Sequence, residues 1–110
     1  MKLSIIIPVY NESAHIEEVV KKIKAVQLPA DVSKEIILID DGSSDGTAEK
    51  LKQYQTDDTI VIHSSRINFG KGTAIRVGLT YAKGDVILIQ DGDLEYDPND
   101  YIKLIQPFIE

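Results

Sequence analysis

Asp91, Asp93, Glu95 and Asp97 fall within seven positions, directly after the aliphatic run Val86-Ile87-Leu88-Ile89 and Gln90. Carboxylates gathered this closely repel one another and raise each other's pKa unless a cation sits among them. Hard divalent cations such as Mg²⁺ take oxygen ligands, commonly one or two carboxylates completed by substrate phosphates and water. Asp91-Gly92-Asp93 suits that role, because glycine lets the backbone turn tightly between two acidic side chains. A metal held there would offer positive charge to a diphosphate in a chain whose formal net charge is −6. Asp97 has a simpler explanation, since Asp97-Pro98 reads as a helix cap followed by proline at the first helical position. Glu95 stands between the two roles.

The same pattern occurs earlier. Ile36-Ile37-Leu38-Ile39 runs straight into Asp40-Asp41-Gly42-Ser43-Ser44-Asp45-Gly46-Thr47. Ser43, Ser44 and Asp45 are natural helix caps. Asp40 and Asp41 come too early for that, and a carboxylate there suits hydrogen bonds from a ribose or a base N–H. Lys71 follows Asn68-Phe69-Gly70, where glycine and a helix N-terminus favour an anion. The spacing is not that of a P-loop. Lys71 reads either as a phosphate or nucleotide contact or as a surface lysine, and Arg66 is equally open. Tyr10 divides between packing and a base contact. His63 ends an apolar strand and reads as structural, and His15 belongs on an exposed helix face.

These residues need a scaffold, and hydrophobic periodicity supplies one. Leu3 to Val9 reads as a buried strand, with Asn11 as a cap for a helix carrying Ile16, Val19, Val20, Ile23 and Val26. Glu35 to Ile39 is a second strand, Thr47 to Tyr54 a short helix, and Thr59 to His63 a third strand. Ala74, Val77, Gly78 and Tyr81 mark a third helix, with Gly84 placed as a left-handed cap beyond its end. Asp85 to Gln90 is the fourth strand. Tyr101, Leu104, Ile105 and Phe108 give a last helix its apolar face, which Pro107 should end or kink. Strands with continuous apolar runs, alternating with helices, predict an α/β fold: a mostly parallel sheet with helices on both faces, in strand order 3-2-1-4. Ligands bind such sheets beyond the strand carboxyl ends, where the order reverses. Pro8, Tyr10, Asn11, Glu12, Asp40, Asp41, Asn68, Gly70, Lys71 and the acidic loop all lie there.

The 110 residues suit one domain, residues 1–110. A chain near this length buries roughly 65% of its unfolded surface. With 43% hydrophobic and 27% charged residues, the composition is that of a folded globular chain. The absence of cysteine excludes disulfides, thiolate metal sites and a cysteine nucleophile. No basic face indicates nucleic acid, and Lys21-Lys22-x-Lys24 reads as a solvated helix face. No apolar stretch approaches the ~20 residues that span a bilayer, and the N-terminal apolar run is too short for a signal-peptide core. These features suit the cytoplasm.

IIIPVYNE at Ile5 to Glu12, IDDGSSDGT at Ile39 to Thr47, NFGKGTA at Asn68 to Ala74 and QDGDLEYDP at Gln90 to Pro98 occur in that order. Together they resemble the family 2 glycosyltransferases of the GT-A fold, above all the dolichyl- or polyprenyl-phosphate sugar transferases. The resemblance covers essentially the whole chain, and four ordered motifs are far more specific than any one. It implies a Rossmann-like nucleotide-binding half and transfer of a sugar from a UDP- or GDP-linked donor, with inversion. It further implies that Pro8, Tyr10, Asn11 and Glu12 line the nucleotide pocket and that Asp40 and Asp41 contact base or ribose. Lys71 would lie near the nucleotide. Asp91 and Asp93 match the catalytic DXD motif that binds the diphosphate through Mg²⁺ or Mn²⁺. Glu95 falls at a further metal-ligand position that is frequently Gln.

The sequence stops one helix after the acidic loop, whereas such relatives continue into an acceptor half. The expectation is a fragment that binds nucleotide weakly, does not turn over alone, and self-associates through apolar surface and an open sheet edge near the fourth strand. The parent enzyme would work in the cytoplasm or at the cytoplasmic face of a membrane, with a lipid phosphate as a fitting acceptor. Three other readings compete. A nucleotidyltransferase should carry a glycine- and arginine-rich loop where PVYNES stands. A signalling receiver domain should carry its acidic pair after the first strand, where Pro8-Val9-Tyr10 stands. A non-catalytic scaffold fragment would associate yet ignore nucleotides.

Overall fold

The computed structural model describes residues 1–91, Asp97 and residues 100–109, the side chains of Ile102 and Ile109 excepted. Strand β1 (Lys2–Val9) runs through the middle of the sheet, paired in parallel with β2 (Ser33–Asp41) on one side and β4 (Val86–Ile89) on the other. Strand β3 (Ile60–Ser65) joins β2, again in parallel, giving the order β3-β2-β1-β4. Helices α1 (Ile16–Ala25), α2 (Thr47–Leu51) and α3 (Lys71–Tyr81) follow the first three strands, and α4 (Tyr101–Ile109) comes last. A 3₁₀ turn at Lys52–Tyr54 extends α2.

Alternation along the strands divides the core. Leu3, Ile5, Ile7 and Val9 of β1 and Ile36 and Leu38 of β2 face Ile16, Val19, Val20 and Ile23 of α1, with Leu51, Tyr101 and Ile105 joining them. On the opposite face Ile6, Ile37 and Ile39 pack on Ala74 of α3. Burying each such aliphatic side chain contributes about 1.5–3 kcal/mol, so the strands that carry the site are the most firmly held part of the chain. Helices thus cover both faces of β1 and β2. The α3 side of β4 is different: Ile87 and Ile89 are exposed, while Val86 and Leu88 pack against the α1 side.

Two close approaches fix the connections. A Cβ on Gly84 would lie 2.8 Å from both the Lys2 carbonyl oxygen and the Ser4 amide nitrogen. Gly84 therefore lets the α3–β4 turn press on β1 rather than forming a left-handed cap; α3 ends at Tyr81, with Ala82 in extended conformation. Beneath that turn, buried Glu35 accepts from the Ser4 hydroxyl at 2.6 Å and the Lys83 amide at 2.7 Å. Burial pushes its carboxyl up, but these donors and the neighbouring Lys2 and Lys83 charges more than offset that and hold it below the usual value.

Two other expectations need correction. Asn11 does not cap α1, which starts at Ile16; Asn11 has a φ of 52° and ties the β1–α1 loop to the loop after β2. Pro107 does not end α4, which continues to Ile109. Only one backbone amide is missing there, and the Lys103 carbonyl it would have met lies on an exposed turn, where water can satisfy it. The expected proline at the start of that helix, Pro98, lies outside the described residues.

Candidate active site

The loops after β1 and β2 are laced together. The Asn11 amide donates to the Ser43 hydroxyl at 2.9 Å, and the Ser44 amide donates to Asn11 Oδ1 at 2.8 Å. The Glu12 amide reaches the Thr47 hydroxyl at 3.1 Å, and the Ser13 amide reaches Asp45 at 3.1 Å. Asp45 also accepts from the Thr47 amide at 3.1 Å, but the cap position of α2 is Gly46, which has no side chain to cap with, so the caps expected at Ser43, Ser44 and Asp45 fall before the helix boundary. The Thr47 hydroxyl above all, with the Ser13 and Thr47 amides, holds the Asp45 carboxyl down at about 2. Tyr10 projects from this lacework into solvent.

The two aspartates ending β2 are buried and committed to backbone. Asp40 Oδ1 accepts from the Ser43 amide at 3.0 Å, which shapes the turn into α2. Asp41 grips the β3–α3 loop, its two oxygens accepting from the Phe69 amide at 2.8 Å and the Gly70 amide at 2.9 Å. Gly42, at φ 73°, lets that loop approach: a Cβ there would stand 2.3 Å from the Ile67 carbonyl carbon.

Gly70 leads into α3, whose first residue is Lys71. Lys71 Nζ meets Asp91 Oδ1 at 2.5 Å. The pair ties the start of α3 to the segment just past β4, beside the point between β1 and β4 where the strand order reverses. A cleft of about 380 Å³ opens there, lined by Pro8, Val9, Tyr10, Glu12, Asp41, Asn68, Gly70, Lys71, Ala74 and Asp91. Asn11 and Asp40 stand behind it as loop-shaping residues, Arg66 is exposed away from the lining, and Asp93 and Glu95 lie outside the described residues. His63 is structural in its contacts, with Nδ1 2.9 Å from the Tyr81 hydroxyl.

A pair that the sequence did not signal secures the acidic end. Gln90 ends the apolar run buried, its amide donating to the Ile6 carbonyl at 2.9 Å. Its Oε1 accepts from the buried Tyr101 hydroxyl at 2.7 Å, so α4 is tied back to the end of β4 across residues 91–100. Burial pushes the Tyr101 hydroxyl far up, which keeps it a neutral donor.

Asp91 has the oxygen chemistry that a hard divalent cation takes. Asp91 offers a carboxylate oxygen at the cleft wall, and that oxygen already accommodates a cationic group, the Lys71 ammonium. Among the described residues no three His, Cys, Asp or Glu side chains cluster, so the remaining ligands would come from Asp93, Glu95, a phosphate or water.

Residues 4–110 match the family described as Glycosyl transferase family 2, and the chain belongs to that family. An undecaprenyl-phosphate 4-deoxy-4-formamido-L-arabinose transferase of Salmonella paratyphi A is 35% identical over 106 residues, covering 94% of this chain and 32% of the relative. The crystal structure of S. aureus TarS 1-349 in complex with UDP-GlcNAc superimposes with a TM-score of 0.81 at 28% identity, over 99% of this chain and 31% of that one. The mannosyltransferase PcManGT from Pyrobaculum calidifontis, in complex with GDP-Man and Mn2+, gives a TM-score of 0.79 at 27% identity, over 91% of this chain and 30% of that one. The chain thus spans about a third of the length of these proteins. No helix among the described residues is long and apolar enough to cross a membrane.

Proposed function

We propose that the chain forms the nucleotide-sugar site of a metal-dependent, inverting glycosyltransferase whose acceptor is a polyprenyl phosphate. The observation that carries this is the cleft at the strand-order reversal, where Pro8, Tyr10, Glu12, Asp41, Lys71 and Asp91 converge. Support comes from the UDP-sugar and GDP-sugar complexes of the two structural neighbours, and from the lipid-phosphate relative.

In this reading the base and ribose enter between the loops after β1 and β2. Tyr10 offers a ring face, Glu12 and Asp41 offer acceptors, and the rigid lacing of the loops sets their spacing. Asp91 and Asp93, with Glu95 as a further oxygen donor, would hold Mg²⁺ or Mn²⁺. When bound, that ion neutralises charge developing on the departing nucleoside diphosphate. Lys71 adds a second positive charge on the same side. A phosphate acceptor is already an oxyanion and attacks the anomeric carbon from the opposite face without a general base. A lipid-phosphate acceptor would bring the reaction to a membrane surface, and this reading takes that surface as the cytoplasmic face. Self-association belongs to the same proposal: among the described residues β4 lies at the edge of the sheet, and its Ile87 and Ile89 are exposed.

Calorimetric titration of UDP and of GDP, each with Mn²⁺ and with EDTA, tests the reading. Metal-dependent binding of one nucleotide that Asp91→Asn and Asp93→Ala both abolish is expected. Equal heats with EDTA, or with the substituted chains, would sink it.

A further inference from the structure

We propose that Lys71 is an internal counter-cation for Asp91, displaced when a divalent ion binds and then captured by the diphosphate. This rests on the reading above that Asp91 ligates a metal beside a nucleotide. Lys71 and Asp91 stand 20 residues apart in sequence and meet at 2.5 Å. Both line the 380 Å³ cleft, and both also line a neighbouring cleft of about 610 Å³ over Leu88, Ile89 and Leu104. Their ion pair therefore stands on the divide between the two spaces, not on a remote surface.

The two partners are not equally held. The Lys71 side chain is 58% exposed on a four-carbon stem, whereas that of Asp91 is 23% exposed at the end of a core strand. The lysine is the member that can leave. An exposed pair of this kind shifts an equilibrium by about fivefold or less, so parting from Asp91 itself costs little. It is also required: a single and a double positive charge about 4 Å apart in water repel by about thirtyfold in binding. The ammonium and the metal cannot share the Asp91 oxygen at low cost.

Where the ammonium goes follows from the cleft. Lys71 lines the cleft in which the nucleotide is placed, and a diphosphate there presents several anionic oxygens. Lys71 thus opposes the metal while the cleft lacks nucleotide and supports it once nucleotide arrives. The two ligands become coupled through one side chain, each tightening the other. A transferase built this way takes up its metal together with its donor rather than beforehand.

The test measures Mn²⁺ binding to the 110-residue chain from the electron paramagnetic resonance signal of free Mn²⁺, without nucleotide and with UDP or GDP. Lys71→Met should raise Mn²⁺ affinity in the absence of nucleotide about three- to tenfold. The same substitution should weaken nucleotide binding at saturating Mn²⁺ at least about threefold. Lys71→Arg keeps the charge and should leave the Mn²⁺ affinity within about twofold. Lys71→Gln gives a second neutral variant and should behave as Lys71→Met. The opposite signs are the signature, because a merely structural lysine would weaken both. If Asp91→Asn abolishes Mn²⁺ binding while both neutral variants leave it unchanged or weaker, the displacement idea is wrong and the metal site stands. If Mn²⁺ binding is absent or indifferent to Asp91→Asn, both fail together.

Discussion

Replacing Asp41 by Asn should loosen the cleft from behind. Asp41 is 4% exposed and gives one oxygen to the Phe69 amide at 2.8 Å and the other to the Gly70 amide at 2.9 Å. Hydrogen bonds to a charged group contribute about 1.5–3 kcal/mol each. Asparagine keeps a single oxygen, so one bond survives in neutral form while the amide group faces the second N–H donor to donor. The expected loss is about 2–4 kcal/mol. At about 4 °C per kcal/mol for a chain of this size, that lowers Tm by about 8–16 °C. Urea unfolding followed by circular dichroism should show a lower midpoint with an unchanged slope, since the native core is untouched. Nucleotide affinity should fall as well, because Gly70 and Lys71 lose their anchor. A variant within about 0.5 kcal/mol of the parent that has nevertheless lost nucleotide binding would refute the reasoning. Asp41 would then serve the ligand alone and contribute nothing through the loop.

Gly42→Ala should cost about 2–4 kcal/mol in the same unfolding assay, combining a positive φ with a Cβ set 2.3 Å from Ile67 backbone; an unchanged midpoint would mean that the β3–α3 loop yields freely. Tyr101→Phe removes the bond to Gln90 and should lower stability by about 1 kcal/mol, with weaker Mn²⁺ binding as the acidic segment loses its tie. Unchanged Mn²⁺ affinity would show that the tie does not position Asp91. Acid should unfold the chain through its paired carboxylates. Asp57 is held at about 2, chiefly by Lys24 and Thr59, and Glu35 lies below its usual value. Folded values below the unfolded ones mean stability that is complete above about pH 5 and lost as pH falls towards 2. The urea midpoint measured from pH 6 to pH 2 should fall steadily, and a flat profile would contradict the assignment.

The strand order and the layering were legible in the sequence because continuous apolar runs mark buried parallel strands and a period of 3.6 marks the helices between them. The meeting of strand-end residues in one cleft followed from the parallel topology alone. What the sequence concealed was how those residues are used. Asp40 and Asp41 read as ligand groups, and no local pattern marks that Asp41 also holds the Phe69 and Gly70 amides, bonds between segments whose approach only the fold creates. Gly84 read as a helix cap, but its role is set by β1, 80 residues away at Ser4. Gln90 and Tyr101 looked like an ordinary strand end and a core aromatic, and no local pattern marks a hydrogen bond across an intervening loop. The Lys71–Asp91 pair was hidden for the same reason.

The most direct test of the cleft as the nucleotide-sugar site is amide chemical-shift mapping of the isotope-labelled chain with UDP or GDP and Mg²⁺. The account predicts shifts confined to Tyr10, Glu12, Asp41, Gly70, Lys71, Asp91 and their neighbours, lost on adding EDTA. Shifts centred instead on Ile87 and Ile89 of β4, or none at all in a folded sample with Mg²⁺ present, would contradict it.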